Sequence, residues 1–219
     1  ILSAFELIES KERVLAKTVS NLTENKGSEG FFQHKLYCRE IYEGMDEIAR
    51  VYGFSGIEPN TIMMGWSRNP KNKEKFIGML ENFEYYRYNS IFLKFNPKRK
   101  FGAHKSIDIW WNGSGRNLVL GIFLIRYITN SNLWRSARVR LLVINPKKEN
   151  EESVHKSIAA ILDSYRVDFG IEVINNETDP KEDKEIIAAH SKETDLVLLG
   201  IPSKKFRQLD QYYDEISEK

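Results

Sequence analysis

Short apolar runs of strand length alternate with segments whose apolar residues recur at helical spacing, from one end of the chain to the other. Strands are expected at 1–7, 31–38, 61–66, 90–95, 106–111, 138–145, 171–174 and 195–201. Between them, Leu15, Val19 and Leu22 share one helical face, as do Met45, Ile48 and Tyr52, and Phe76, Leu80 and Phe83. The same spacing returns in an apolar helix near 118–128, in Val154, Ile158, Ile161 and Tyr165, at 185–189, and in Phe206, Leu209, Tyr213 and Ile216. Runs such as 195–201 (DLVLLGI) are continuously apolar, the pattern of strands buried on both faces. The Asn112-Gly113 pair, the chief hairpin-type signal, leads into a helix. Strands joined by single helices build parallel sheets. The expected class is α/β, with mostly parallel sheets covered by helices.

The segment 96–105 (NPKRKFGAHK) has the composition of a linker, and the pattern restarts after it. This divides the chain into a first half at 1–95, a linker at 96–105 and a second half at 106–219. The strand around Gly65 and the strand around Gly200 each follow an acidic amphipathic helix and precede a basic turn. The chain therefore reads as two related halves, the first lacking its opening strand and helix. A start at Ile1, inside a strand-like run, suggests a fragment of a longer protein.

Composition narrows the function. The hydrophobic fraction of 41% is enough for a sizeable core. Lys and Arg number 33 against 31 Asp and Glu, interleaved, which argues against a dedicated nucleic-acid binder. Lys98-Arg99-Lys100 reads as a solvated part of the linker. With Cys38 alone and His34, His104, His155 and His190 dispersed, no metal spacing and no disulfide is expected. No nucleophile elbow or Cys/His couple appears, and the chain is read as a non-enzyme. Asp108 lacks a visible partner for general-base work; the alternative is a buried, hydrogen-bonded carboxylate. Trp110 and Trp111 point to opposite faces of their strand, so both faces need cover or a partner.

Two turns invite a closer reading. Gly113, Ser114, Gly115 and Arg116 lie between a strand and a helix, where backbone N–H groups can meet an anion or nucleotide. The same glycines also serve a tight turn and a close helix–strand approach. The spacing is neither G-x-G-x-x-G nor a P-loop. Gly200-Ile201-Pro202-Ser203-Lys204-Lys205 follows a strand's carboxyl end, with Ser203 suited to cap the next helix. No cofactor is assigned to either turn.

The stretch 106–145 (SIDIWWNGSGRNLVLGIFLIRYITNSNLWRSARVRLLVIN) resembles the C-terminal cytosolic domain of the cation–chloride cotransporters, including Na–K–Cl and K–Cl transporters. In that family an Asp-Ile/Val-Trp-Trp strand meets a glycine turn and an apolar helix. A Trp, a basic segment and a second strand follow. The segments 58–66 (EPNTIMMGW), 165–169 (YRVDF) and 195–202 (DLVLLGIP) resemble family motifs in the same order. Asn112-Gly113-Ser114-Gly115 stands where animal members carry Asp-Gly-Gly, and their long insertions are missing, as in a compact prokaryotic relative. Phosphoregulation carried by those insertions is not implied.

The resemblance implies two universal-stress-protein-like halves. It implies a cytosolic regulatory and dimerisation domain of a membrane cotransporter moving chloride with Na+ and/or K+. Its partners would be a second copy and the transmembrane transport domain of the same chain, and its place the cytoplasmic face of the cell membrane. The aromatic residues Phe83, Tyr85, Tyr86 and Tyr88, with Tyr212 and Tyr213, are candidates for the dimer surface. The alternative is a nucleotide- or anion-sensing domain of the universal-stress-protein type. ATP-binding members of that fold carry a Gly-x-x-Gly with a distant Gly-Ser/Thr in the late turn. No glycine follows Gly200 here, so tight ATP binding is not expected.

Overall fold

The computed structural model describes residues 2–6, 34–51, 59–66, 70–113, 117–178, 180–200 and 213, with side chains in the two opening strands left aside. The helices expected near 11–22 and 206–216 lie outside those residues, Tyr213 excepted. The chain forms two compact units, Ile1–Lys94 with Leu209–Lys219, and Phe95–Gln208.

All eight expected strands are present. In the first unit β1 (Leu2–Glu6) pairs parallel with β2 (His34–Cys38), and β3 (Thr61–Gly65) pairs parallel with β4 (Asn89–Leu93). Helix α1 (Ile41–Val51) follows β2, and α2 (Lys73–Tyr85) joins β3 to β4. Phe76, Ile77, Met79, Leu80 and Phe83 turn one face of α2 inward. Phe76 meets Trp66, Phe92 and Tyr213 edge-on, with ring centroids at 5.2, 6.0 and 6.1 Å. Such pairs add to the area they bury.

The second unit is one four-stranded parallel sheet in the order β7-β6-β5-β8. Its strands are β5 (Ser106–Trp110), β6 (Arg138–Asn145), β7 (Gly170–Asn175) and β8 (Leu196–Leu199). Helices α3 (Asn117–Thr129), α4 (Glu151–Ser164) and α5 (Asp183–His190) join them in turn. Strand alternation sorts the side chains. Ile107, Ile109, Leu141 and Val143 pack with Leu118, Ile122 and Ile125 of α3 and Ile158 and Leu162 of α4. Trp110 and Leu142 turn the other way, onto Ile186 of α5. The two tryptophans divide as alternation requires, since Trp111 packs on the α3–α4 side.

The segment 96–105 is part of the second unit, fastened to residues about the start of β8. Asp195 accepts hydrogen bonds from the backbone N–H groups of Ala103, Lys105 and Ser106 at 3.1, 2.7 and 3.1 Å. Arg99 donates to the carbonyls of Lys192 and Thr194 at 2.9 and 3.1 Å. A side chain at Gly102, where φ is +56°, would collide with the Asp195 carboxylate. Composition suggested a linker because these bonds come from residues some ninety positions away.

Helices α2 and α4 end alike. Arg87 and Arg166 adopt left-handed φ of 62° and 53°. The next N–H reaches back from Tyr88 to Phe83 at 2.9 Å, and from Val167 to Leu162 at 3.1 Å. Glycine usually takes this position, because a Cβ there costs about 1 kcal/mol or more. Arg166→Gly is therefore expected to raise unfolding stability by up to about 1 kcal/mol. Urea denaturation of the variant beside the parent chain checks this.

Candidate functional site

The reversal of strand order marks the place to look. From β5 the chain steps to β6 and β7, then returns to β8 on the other side of β5. Ligands of open α/β sheets bind beyond the carboxyl ends of the strands at such a reversal. Trp110 lies opposite Leu199 in the register, so β5 and β8 end side by side. These are the two turns singled out from the sequence. Gly113 has φ +80° with open space about its Cβ position. A Cβ on Gly200 would come 3.2 Å from the Cβ and 3.1 Å from the Nδ2 of Asn117, the first residue of α3. The backbone at Gly200 thus lies against the Asn117 side chain, a close approach that glycine permits. Ser114, Gly115 and Arg116 lie outside the described residues, as do 201–205. Among the described residues, no cluster of His, Cys, Asp and Glu is arranged to hold a metal ion.

A second constellation sits nearer the opposite edge of the sheet. Asp108 is fully buried on β5. Its Oδ1 accepts from Arg140 Nε at 2.9 Å. Its Oδ2 accepts from Arg140 Nη2, Ser191 Oγ and Thr194 Oγ1 at 2.8, 2.7 and 2.6 Å. Arg140 Nη1 donates to Glu172 Oε2 on β7 at 2.9 Å, and Glu172 Oε1 lies 3.2 Å from His190 Nδ1. Trp110 Nε1 donates to Ser191 Oγ at 2.9 Å. Burial alone would raise the Asp108 pKa. Hydrogen bonds from Arg140, Thr194 and Ser191 outweigh it and hold the carboxyl below its ordinary value. Both oxygens are engaged, so Asp108 is a buried hydrogen-bonded carboxylate and not a poised base.

Sequence reading placed Asp108 in its strand and missed its partners. The available signal was Arg140, a charge inside the apolar run VRLLVIN, on the face shared with Leu142. Register sets Arg140 directly beside Asp108.

No family model matches the sequence. The structure is similar to the crystal structure of the cytoplasmic domain of a prokaryotic cation chloride cotransporter, with a TM-score of 0.67 and 13% sequence identity, covering 100% of this chain and 80% of that one. This chain has the fold of that cytoplasmic domain. The likeness runs through both units, since it covers every residue of the chain. Among the described residues no helix is long and apolar enough to cross a membrane.

Removing the Asp108 charge tests what the network contributes. Asp108→Asn removes the buried carboxylate of the pair, leaves Arg140 with the carboxylate of Glu172 alone, and is expected to destabilise the chain by about 3 kcal/mol at neutral pH. The pKa of Asp108 is depressed in the folded chain, so its contribution is fully present above the unfolded value of about 3.9. It is lost as pH falls below that value through the lower folded pKa. Thermal melts from pH 7 downward should show the gap between parent and variant narrowing only in that acid range.

Proposed function

We propose that this chain is the regulatory and dimerisation domain of a membrane cotransporter moving chloride with Na+ and/or K+. The observation that carries the proposal is the fold shared with a cotransporter cytoplasmic domain over the whole chain. The Asp-Ile-Trp-Trp strand and glycine turn support it, since the motif that resembles the family falls at the strand-order reversal. In this reading the domain holds no ion pathway and catalyses no reaction. It joins the cytoplasmic face of its own transmembrane domain and pairs with a second copy.

The aromatic residues expected at a dimer surface divide. Phe83 and Tyr213 are buried, and Tyr88 donates its hydroxyl to the carbonyl of Ala49 at 2.9 Å. These rings serve the core of their own unit. Tyr85 is exposed, and Tyr212 lies outside the described residues. Helix α3 offers a better surface. It is apolar nearly all round, yet Phe123 and Tyr127, one turn apart, are 56% and 73% exposed. A helix of that composition is ordinarily covered on every side.

A two-fold contact through this face should bury about 800 Å² on each partner. Light scattering after gel filtration is expected to give twice the 25.6 kDa chain mass. Phe123→Glu should return it to the single mass without lowering the melting temperature. A constant monomer mass for the parent chain at every concentration would refute intrinsic pairing.

The second reading, a nucleotide or anion sensor, is favoured by the meeting of the two glycine turns at the strand reversal. Against it stand the Asn117 side chain lying close on Gly200 and the lack of any glycine after Gly200. Titration calorimetry with ATP is expected to show no saturable heat. Micromolar binding lost in Arg116→Ala would establish the sensor instead.

A further inference from the structure

A parallel sheet places every strand start on one edge, and in the second unit that edge collects positive charge. Lys98, Lys100 and Lys105 are exposed on the segment before β5, and Arg135 and Arg138 on the approach to β6. The two segments are bound together. Arg138 N donates to the carbonyl of Lys105 at 2.8 Å, and the His104 ring stands edge-on to Trp134 at 4.8 Å. Arg99 ties the first of them to the turn before β8, where Lys192 is exposed. Among the described residues, the exposed acids of this edge are Glu193, with Asp163 and Asp168 flanking Arg166 near the start of β7. Asp195 is already occupied by backbone N–H groups.

The opposite edge is mixed, with exposed Lys147, Lys148, Lys181 and Lys184 standing among its acids. Glu149, Glu151 and Glu152 open α4, and Glu182, Asp183 and Glu185 open α5, all exposed. Of the two edges, the first carries an excess of exposed positive charge among the described residues. Leu133 adds an apolar point to the basic edge. Trp134 beside it is buried, whereas Leu133 is 70% exposed, two residues from Arg135.

We propose that this edge contacts an anionic lipid surface, with the lysines and arginines against headgroup phosphates and Leu133 entering the boundary below them. Basic residues near such a surface each contribute about fivefold in partitioning, and the attraction falls within a Debye length. A protruding aliphatic side chain gains from entering a bilayer boundary. It offers little to nucleic acid, whose bases stack on aromatic rings; the tryptophan here is buried. The acids that open α4 and α5 face away from the lipid in this orientation, which avoids their repulsion. The contact stands independently of the transport role and is compatible with it.

Cosedimentation of the 219-residue chain with vesicles tests the proposal. The probes are phosphatidylcholine vesicles, alone or with about a third phosphatidylserine. Binding is expected with phosphatidylserine only, and should weaken steeply as salt rises from about 50 to 300 mM. The variant K98E/K100E/R135E should lose at least about a hundredfold in partitioning, and Leu133→Ser should lose several-fold. Lys147→Glu, near the opposite edge, should bind as the parent does. Equal melting temperatures establish that the variants are folded; if the triple variant melts early, Leu133→Ser and the salt series decide. No binding to anionic vesicles, binding indifferent to the basic-edge variants, or tighter binding to duplex DNA in the same buffer would overturn the proposal.

Discussion

The ion pair of Asp108 and Arg140 joins the middle strand of the second sheet to its neighbour, and the rest of that unit is arranged around it. Through Arg140 the network reaches Glu172 on β7. Through Ser191 and Thr194 it reaches the turn that begins β8. One set of hydrogen bonds thus engages every strand of the sheet or its immediate entry. Burying a carboxylate costs several kcal/mol, and hydrophobic residues of the same shape are often no less stable. What the pair supplies is selectivity. A one-residue slip of β6 would set Asp108 beside Val139 or Leu141 and turn Arg140 into the apolar face packed by α3 and α4. A buried charge with no partner then opposes every register but one.

The network also divides the sheet by purpose. The strand starts hold the Asp108 cluster, the Asp195 clasp and the buried Trp134, all closely bonded or packed. The strand ends hold Gly113, Gly200 and Asn117, where chain turns meet with little room about Gly200. Polar groups at the first edge are committed to one another, so their chemistry is structural. Exposed charge lies outside this committed layer and is open to external partners. The apolar stripe of Phe123 and Tyr127 lies on neither edge but on the outward side of α3. Like Leu133, it is left exposed by the packing of the described residues.

Strand positions were legible because buried parallel strands leave unbroken apolar runs, as in 138–145, and those runs end at Gly, Pro or Asn. Helices α2 and α4 were legible from their inward residues, Phe76, Leu80 and Phe83 in one and Ile158 and Leu162 in the other. The segment 96–105 was misread because composition reports local preference, whereas its order comes from Asp195 and from the carbonyls near it. The ring cluster at 83–88 was legible only in part for a related reason. Aromatic content does not say which rings face inward, and Phe83 and Tyr88 do. At the candidate site each glycine turn was visible alone. Their juxtaposition depended on strand order, which local sequence does not specify.

The role proposed for the domain is to serve a chloride-coupled transporter. Its most direct test is uptake of rubidium and of sodium-22, with and without external chloride, in cells expressing a membrane polypeptide that carries these 219 residues. The account predicts chloride-dependent uptake that falls when Asp108→Asn is introduced, with the polypeptide still present in the membrane. Uptake of both cations equal with and without chloride, or no polypeptide in the membrane fraction, would contradict it.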